Sequence, residues 1–350
     1  MRRHRDARID EARGIATLLV VVFHAVKAEP SLAPTLFYQV NETLTYVRMP
    51  LFMIVTGYLL GTRDPPGGVG AQLRSLRPWI VRIAWPLVTV TACCVAIHHA
   101  RGEAWPIGRA LLFGIWHLWY LQALILLKIA YVALDAWRRP TAPQMIALSI
   151  AAALFAHSGI ADGLTFFSFD RAIDLLPFLL FGAWVGRTPA VLDRTLLFRL
   201  FYVVAAALIV QRLTLYGDSP SWSRTSWAAM LIGAGAGLFV LNHAPRSGAL
   251  SLVGRYGFPI FLWHLPWFVV VEHLIIPCGL SAMPGVAVRV AAGLLMPAIV
   301  ARWARSWRSV SIVPVGAAAP RRRRPEAAEP TRSGYGSPLR RFAPGMNHPC

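Results

Sequence analysis

Arg13 and His24 stand out as ionisable residues in an apolar stretch near the N-terminus, and their spacing is the first that could do chemistry. They lie eleven positions apart, which leaves them about 20° apart on a helical wheel, so an α-helix puts both on one face. Asp10 and Thr17 fall within about 40° of the same stripe. The rise from Arg13 to His24 is about 16 Å, which sets the imidazole near the middle of a bilayer and leaves Arg13 at its edge. An ionisable side chain at such depth is costly unless it faces a cavity or a partner. Imidazole titrates around neutral pH when unperturbed, which suits removal of a proton from a hydroxyl. The structural alternative pairs Asp10 with Arg13 at the interface and packs His24 behind a single hydrogen bond.

The rest of the chain provides the helices that would hold these residues. Of 350 residues, 56% are apolar and only 15% charged, where a soluble globular protein has roughly 45–50% and 25%. Thirteen Trp, 17 Phe and 9 Tyr suit lipid-buried helices with aromatics near their ends. No strict alternation of the kind that builds a membrane β-barrel runs through the sequence. Ten stretches are apolar enough for spanning helices: residues 10–28, 46–61, 79–98, 118–136, 144–155, 172–185, 196–215, 227–242, 256–276 and 286–303. The fifth is short and the sixth is interrupted by Pro177.

A net charge of +19 would suggest nucleic-acid binding in a soluble protein. Here the positive residues gather in alternate loops, as cytoplasmic loops do, so no nucleic-acid partner is expected. One set holds the N-terminus, the stretches 63–82, 138–139, 187–199 and 246–255, and the tail. The other holds only Arg101, Arg109, Arg171 and Arg224. Both termini are therefore expected in the cytoplasm, with residues 1–308 as the membrane domain and 309–350 as a disordered Arg/Pro-rich tail. The opening arginines followed by residues 15–23 could pass for a signal peptide, but the reading here is an uncleaved first helix. Cys93, Cys94, Cys278 and Cys350 have neither metal-ligand nor redox spacing, and His98 and His99, taken as exposed at a helix end, are not expected to bind metal.

Four segments carry a family resemblance. Residues 8–24, Arg-Ile-Asp-Glu-Ala-Arg-Gly-Ile-Ala-Thr-Leu-Leu-Val-Val-Val-Phe-His, resemble the opening of the acyltransferase family 3 membrane proteins, whose signature is an Arg, ten residues, then a His. Residues 48–58, Arg-Met-Pro-Leu-Phe-Met-Ile-Val-Thr-Gly-Tyr, resemble that family's second helix, with Thr56 where Ser is usual. Trp116-His117-Leu118-Trp119-Tyr120-Leu121 and the stretch 257–266 with Phe-Leu-Trp-His-Leu-Pro follow in the same order. The form of the second segment is similar to stand-alone glycan O-acetylases.

The resemblance implies an O-acyltransferase of the bacterial inner membrane, with acetyl-coenzyme A or another acyl-coenzyme A as donor substrate rather than a resident cofactor. It also implies a glycan or lipid-linked saccharide acceptor. His24 is then the general base, with Asp10 and Arg13 positioning it, though an acyl-histidine relay is open too. Arg74, Arg77 and Arg82 are candidates for the donor phosphates. Trp116, Trp119 and Tyr120, on one helical surface near the outer face, are candidates for stacking on a sugar or for the interfacial belt. His117, His264 and Arg48 complete the candidate substrate contacts, with Glu272 as a further outer-side residue. A secondary transporter or glycan flippase is the rival class; the matching discontinuous helices of inverted repeats are not visible.

Overall fold

The computed structural model describes residues 6–33, 35–63, 67–188, 195–215, 222–274 and 279–306. The expected tail, 309–350, lies outside the described residues. Among the described residues thirteen α-helices follow one another: α1 (Ala7–Lys27), α2 (Leu36–Thr43), α3 (Thr45–Gly61), α4 (Val69–Ala100), α5 (Ile107–Phe113), α6 (Trp119–Arg138), α7 (Ala142–His157), α8 (Phe169–Arg187), α9 (Thr195–Leu215), α10 (Trp227–His243), α11 (Gly248–Arg255), α12 (Gly257–Leu274) and α13 (Ala282–Ser306). No strand occurs among the described residues.

Each of the ten apolar stretches is a helix, and α2, α5 and α11 are three short additions at the ends of the longer ones. Helix α8 passes through Pro177 without a break, and Ser149 Oγ of α7 donates to the Pro177 carbonyl at 2.8 Å. Helix α4 begins ten residues before the expected boundary and runs for 32 residues. Among the described residues, five helical stretches are long and apolar enough to cross a membrane, and the bent pair α10–α11 makes a sixth.

Helix ends are set locally: Asp6, Thr35, Ser226 and Ser247 each accept a backbone N–H in the first turn of α1, α2, α10 and α11. Helix pairs are brought together by small residues, because lipid offers no hydrophobic drive between helices and close van der Waals contact must supply it. A Cβ on Gly57 of α3 would lie 2.0 Å from the Leu179 carbonyl oxygen, and one on Gly182 of α8 would lie 2.2 Å from that of Ile54. The two backbones therefore touch, and any side chain there would part them.

Contacts along the helices fix their directions. Gly57 meets Leu179 and Gly61 meets Ala183, so α3 and α8 run the same way. By the same test α10 follows α3, through Gly233 with Tyr46 and Gly237 with Ile54. Helix α6 follows α8, through Gln122 with Ser168 and Asp135 with Arg187. Helix α12 follows α1, with Thr17 against Gly257 and His24 against His264. Helix α13 opposes α1, because Arg289 meets Glu29 and Gly293 faces Val21. The ends of α4 and α12 meet through Arg101 and Glu272, and the end of α7 meets the start of α10 through His157. Helix α9 opposes α10, through Tyr202 with Asn242 and Ala205 with Gly235. Taken in chain order, the ten longer helices alternate in direction.

Candidate functional site

The parallel pair α1 and α12 sets the centre of the site. A Cβ on Gly257 would lie 2.8 Å from Thr17 Oγ1, so the two helices touch at that level. Seven residues further along each chain, two helical turns, His24 and His264 meet with ring centroids 5.2 Å apart. His117, in the turn just before α6, completes a cluster at 4.6 Å from the His264 ring and 6.2 Å from the His24 ring. Gly293 of α13 leaves room behind them, since a Cβ there would come within 3.3 Å of the His264 Cβ.

The three imidazoles differ in what their nitrogens do. His264 is fully buried, and its Nδ1 lies 2.9 Å from the Phe261 carbonyl, to which it donates. That donation leaves Nε2 of the neutral ring as an acceptor, and it has no hydrogen-bond partner among the described residues. Both nitrogens of His117 are buried near the Phe261 and Leu262 carbonyls without a well-formed hydrogen bond to a described residue. His24 is the half-buried member, and it opens onto a cavity of about 120 Å³. Phe23, Arg48, His117, Trp119 and Phe261 also line that cavity. The Arg48 guanidinium lies 3.6 Å over the Phe23 ring, and one Nη donates to Asn41 O at 2.9 Å and to Thr45 Oγ1.

The cavity lies at the end of the helices where α1 stops, because α3, α6, α8 and α10 all contribute their opening turns to its wall. His24 is in the last turn of α1, not midway along the chain's path. It is covered by His117, His264 and the opening turns of α3. Arg13 lies about 16 Å back along the helix, where it acts on Tyr120 beside Thr56. Tyr120 packs on Phe261 at 5.3 Å and Phe261 on His117 at 5.0 Å, so a column of aromatic side chains leads from Tyr120 to the histidines.

Several sequence candidates are placed differently from expectation. Asp10 is buried and its carboxylate reaches Arg255 at 3.9 Å, at the α11 crossing where a Cβ on Gly254 would strike the Asp10 carbonyl. The three aromatics of residues 116–120 do not share a surface, because α6 starts only at Trp119 and Trp116 adopts a left-handed φ of 49°. Trp116 faces His98 at 5.0 Å, Trp119 lines the cavity and Tyr120 is buried against Phe52 and Phe261. His98 is buried and bonded to Glu103 at 2.7 Å, although its neighbour His99 is exposed. Glu272 pairs with Arg101 and is not among the cavity-lining residues.

Arg74, Arg77 and Arg82 are exposed on the early turns of α4 and not in a loop. They sit at the end opposite the cavity, where Arg63 and Arg82 act on Lys128, whose ammonium lies 3.9 Å over the Trp79 ring. Sequence reasoning missed Lys128 and Gly293, as well as Arg171, Asp174 and Arg224 in the cavity wall. Only the isolation of a lysine in an apolar helix could have drawn attention to Lys128.

A bundle of apolar helices enclosing a histidine-lined cavity is the architecture of a membrane protein. The family model described as an acyltransferase domain matches residues 6–302, nearly the whole chain, and the protein belongs to acyltransferase family 3. It is a membrane acyltransferase. No curated protein and no solved structure matches it.

Proposed function

We propose that the protein is an O-acyltransferase that moves an acetyl group from acetyl-coenzyme A to a hydroxyl of a glycan or lipid-linked saccharide, with His24 as the general base. The observation that carries the reading is that His24 is the half-buried member of the histidine cluster and lines the cavity. In this mechanism His24 takes the acceptor's hydroxyl proton as the oxygen attacks the thioester carbonyl. Collapse of the tetrahedral intermediate breaks the C–S bond, and the proton held by His24 passes to the departing thiolate. His264 and His117 hold the His24 ring by packing, with ring centroids 5.2 and 6.2 Å away, and His264 is itself fixed by its bond to the Phe261 carbonyl.

The acceptor enters at the end where α1 stops, and the donor at the other. Arg74, Arg77 and Arg82, with Arg63 and Lys128, supply the cations for the donor's phosphates. Arg13 positions His24 from the donor's end of α1, and Asp10 fixes the start of that helix through Arg255. The alternation of ten helix directions supports ten crossings with both termini on one side, and the arginines gathered in alternate loops support the cytoplasm of a bacterial inner membrane as that side. Incubating the purified protein with labelled acetyl-coenzyme A and a panel of glycans tests the reading. Label appears in a glycan ester; hydrolysis of the donor with no acceptor labelled would contradict it.

A further inference from the structure

The cavity beside His24 holds more positive charge than proton removal from a hydroxyl needs. Its wall includes Arg48, Arg171 and Arg224 against one carboxylate, Asp174. Arg171 is matched locally: its Nε lies 3.6 Å from Asp170 and its Nη1 3.8 Å from Asp174. Glu42 is close enough to act on Arg48, but its carboxylate is paired with Lys27 at 3.2 Å. Asp174 also acts on Arg224, so one cation is in excess, and Arg48, whose only nearby carboxylate among the described residues is already shared, is left as the surplus.

Arg48 is built as a receptor for something absent. It is 3% exposed, its Nη1 is buried, and that atom has no hydrogen-bond partner among the described residues. A buried charged donor left without an acceptor is costly, so such groups are normally paired. The face of its guanidinium is already taken by Phe23, the residue next to His24, so the open edge is what remains for a ligand. Arg224 stands at the rim, in the turn leading into α10, and partial cover and then the neighbouring Arg171 hold its pKa below the usual arginine value. An anion bound in the cavity would satisfy Arg48 Nη1 and have Arg224 at the rim as a second cation.

We propose that the acceptor carries an oxyanion, a carboxylate or a phosphate, which Arg48 and Arg224 hold so that a hydroxyl of the same molecule lies at His24. This rests on the acyl-transfer reading of the same cavity and adds the acceptor's chemical class. Arg48 Nη1, with the Arg224 guanidinium, would meet either oxyanion through charge-assisted hydrogen bonds. Neutral saccharides would leave Arg48 Nη1 unsatisfied and bind more weakly.

Calorimetry on the full-length protein in nanodiscs at low salt tests the proposal with three probes: methyl β-D-glucuronide, glucose 1-phosphate and methyl β-D-glucoside. At least one anionic sugar should bind about tenfold or more tighter than the glucoside, and which one does so tells carboxylate from phosphate. Arg224→Gln, at an exposed site, should erase most of that preference while leaving the glucoside affinity within about twofold; Arg48→Gln should act the same way where it inserts normally. Equal binding of all three sugars, no measurable binding of either anion, or a preference that survives both variants would overturn it. His24→Ala should keep the preference. A protein that prefers the anion but transfers no acyl group would refute the enzymatic reading alone, and one that acylates neutral glycans without preference would refute this inference alone.

Discussion

Substituting Gly257 by Ala tests whether the α1–α12 contact sets the histidine geometry. The added Cβ would lie 2.8 Å from Thr17 Oγ1, well inside ordinary contact, whereas the Thr17 Cβ is 4.0 Å away. Relief requires either that α12 move by about half an ångström or that Thr17 rotate and give up its 2.8 Å bond to the Arg13 carbonyl. Overpacking of this kind costs about 1–3 kcal/mol, and if that strain falls on the His24–His264 pair two turns on, kcat drops roughly 5- to 100-fold. Thr17→Ala alone removes a hydroxyl and should have a smaller effect. In the double variant Cβ faces Cβ at 4.0 Å, an ordinary contact, and activity should return to within about threefold of Thr17→Ala. The assay is acetyl transfer from labelled acetyl-coenzyme A, with insertion checked by size-exclusion of the purified protein. A double variant as impaired as Gly257→Ala, or a single variant with normal kcat, would refute the reasoning.

Replacing Arg74, Arg77 and Arg82 together with Gln should weaken acetyl-coenzyme A binding by about tenfold or more and leave acceptor binding unchanged; unchanged donor affinity would make these residues topological only. Reporters fused after Arg139 and Arg324 should read as cytoplasmic and one after Gly279 as external, and an external reading after Arg324 would refute ten crossings. Arg13→Ala should lower kcat with His24 still in place, and Arg13→Lys should rescue poorly if the guanidinium makes paired hydrogen bonds; full rescue by Lys would reduce Arg13 to a point charge.

The helices were legible because a bilayer imposes one rule on every segment, and apolar length reads it directly. Short α2, α5 and α11 escaped, since eight residues or fewer at a helix end leave little periodic signal. Thr17 and His24 share a face with Arg13 by arithmetic alone, but that His24 meets His264 depends on Gly257 letting α12 approach, which no spacing within α1 discloses. His117 and His264 entered through the family motifs. Arg171 and Arg224 looked like stray loop charges because their convergence on Arg48 is a product of α3, α8 and α10 running in parallel. The 116–120 aromatics were misplaced because helical spacing was applied across Trp116, which precedes the helix.

The proposed base is His24, and His24→Gln is the substitution that separates that role from packing. Glutamine keeps similar size and a hydrogen bond but removes no proton. General-base assistance contributes about 10²–10⁴-fold, so acetyl transfer by the normally inserted variant should fall by that order while acetyl-coenzyme A still binds. Turnover within a few-fold of the unmodified protein would contradict the account.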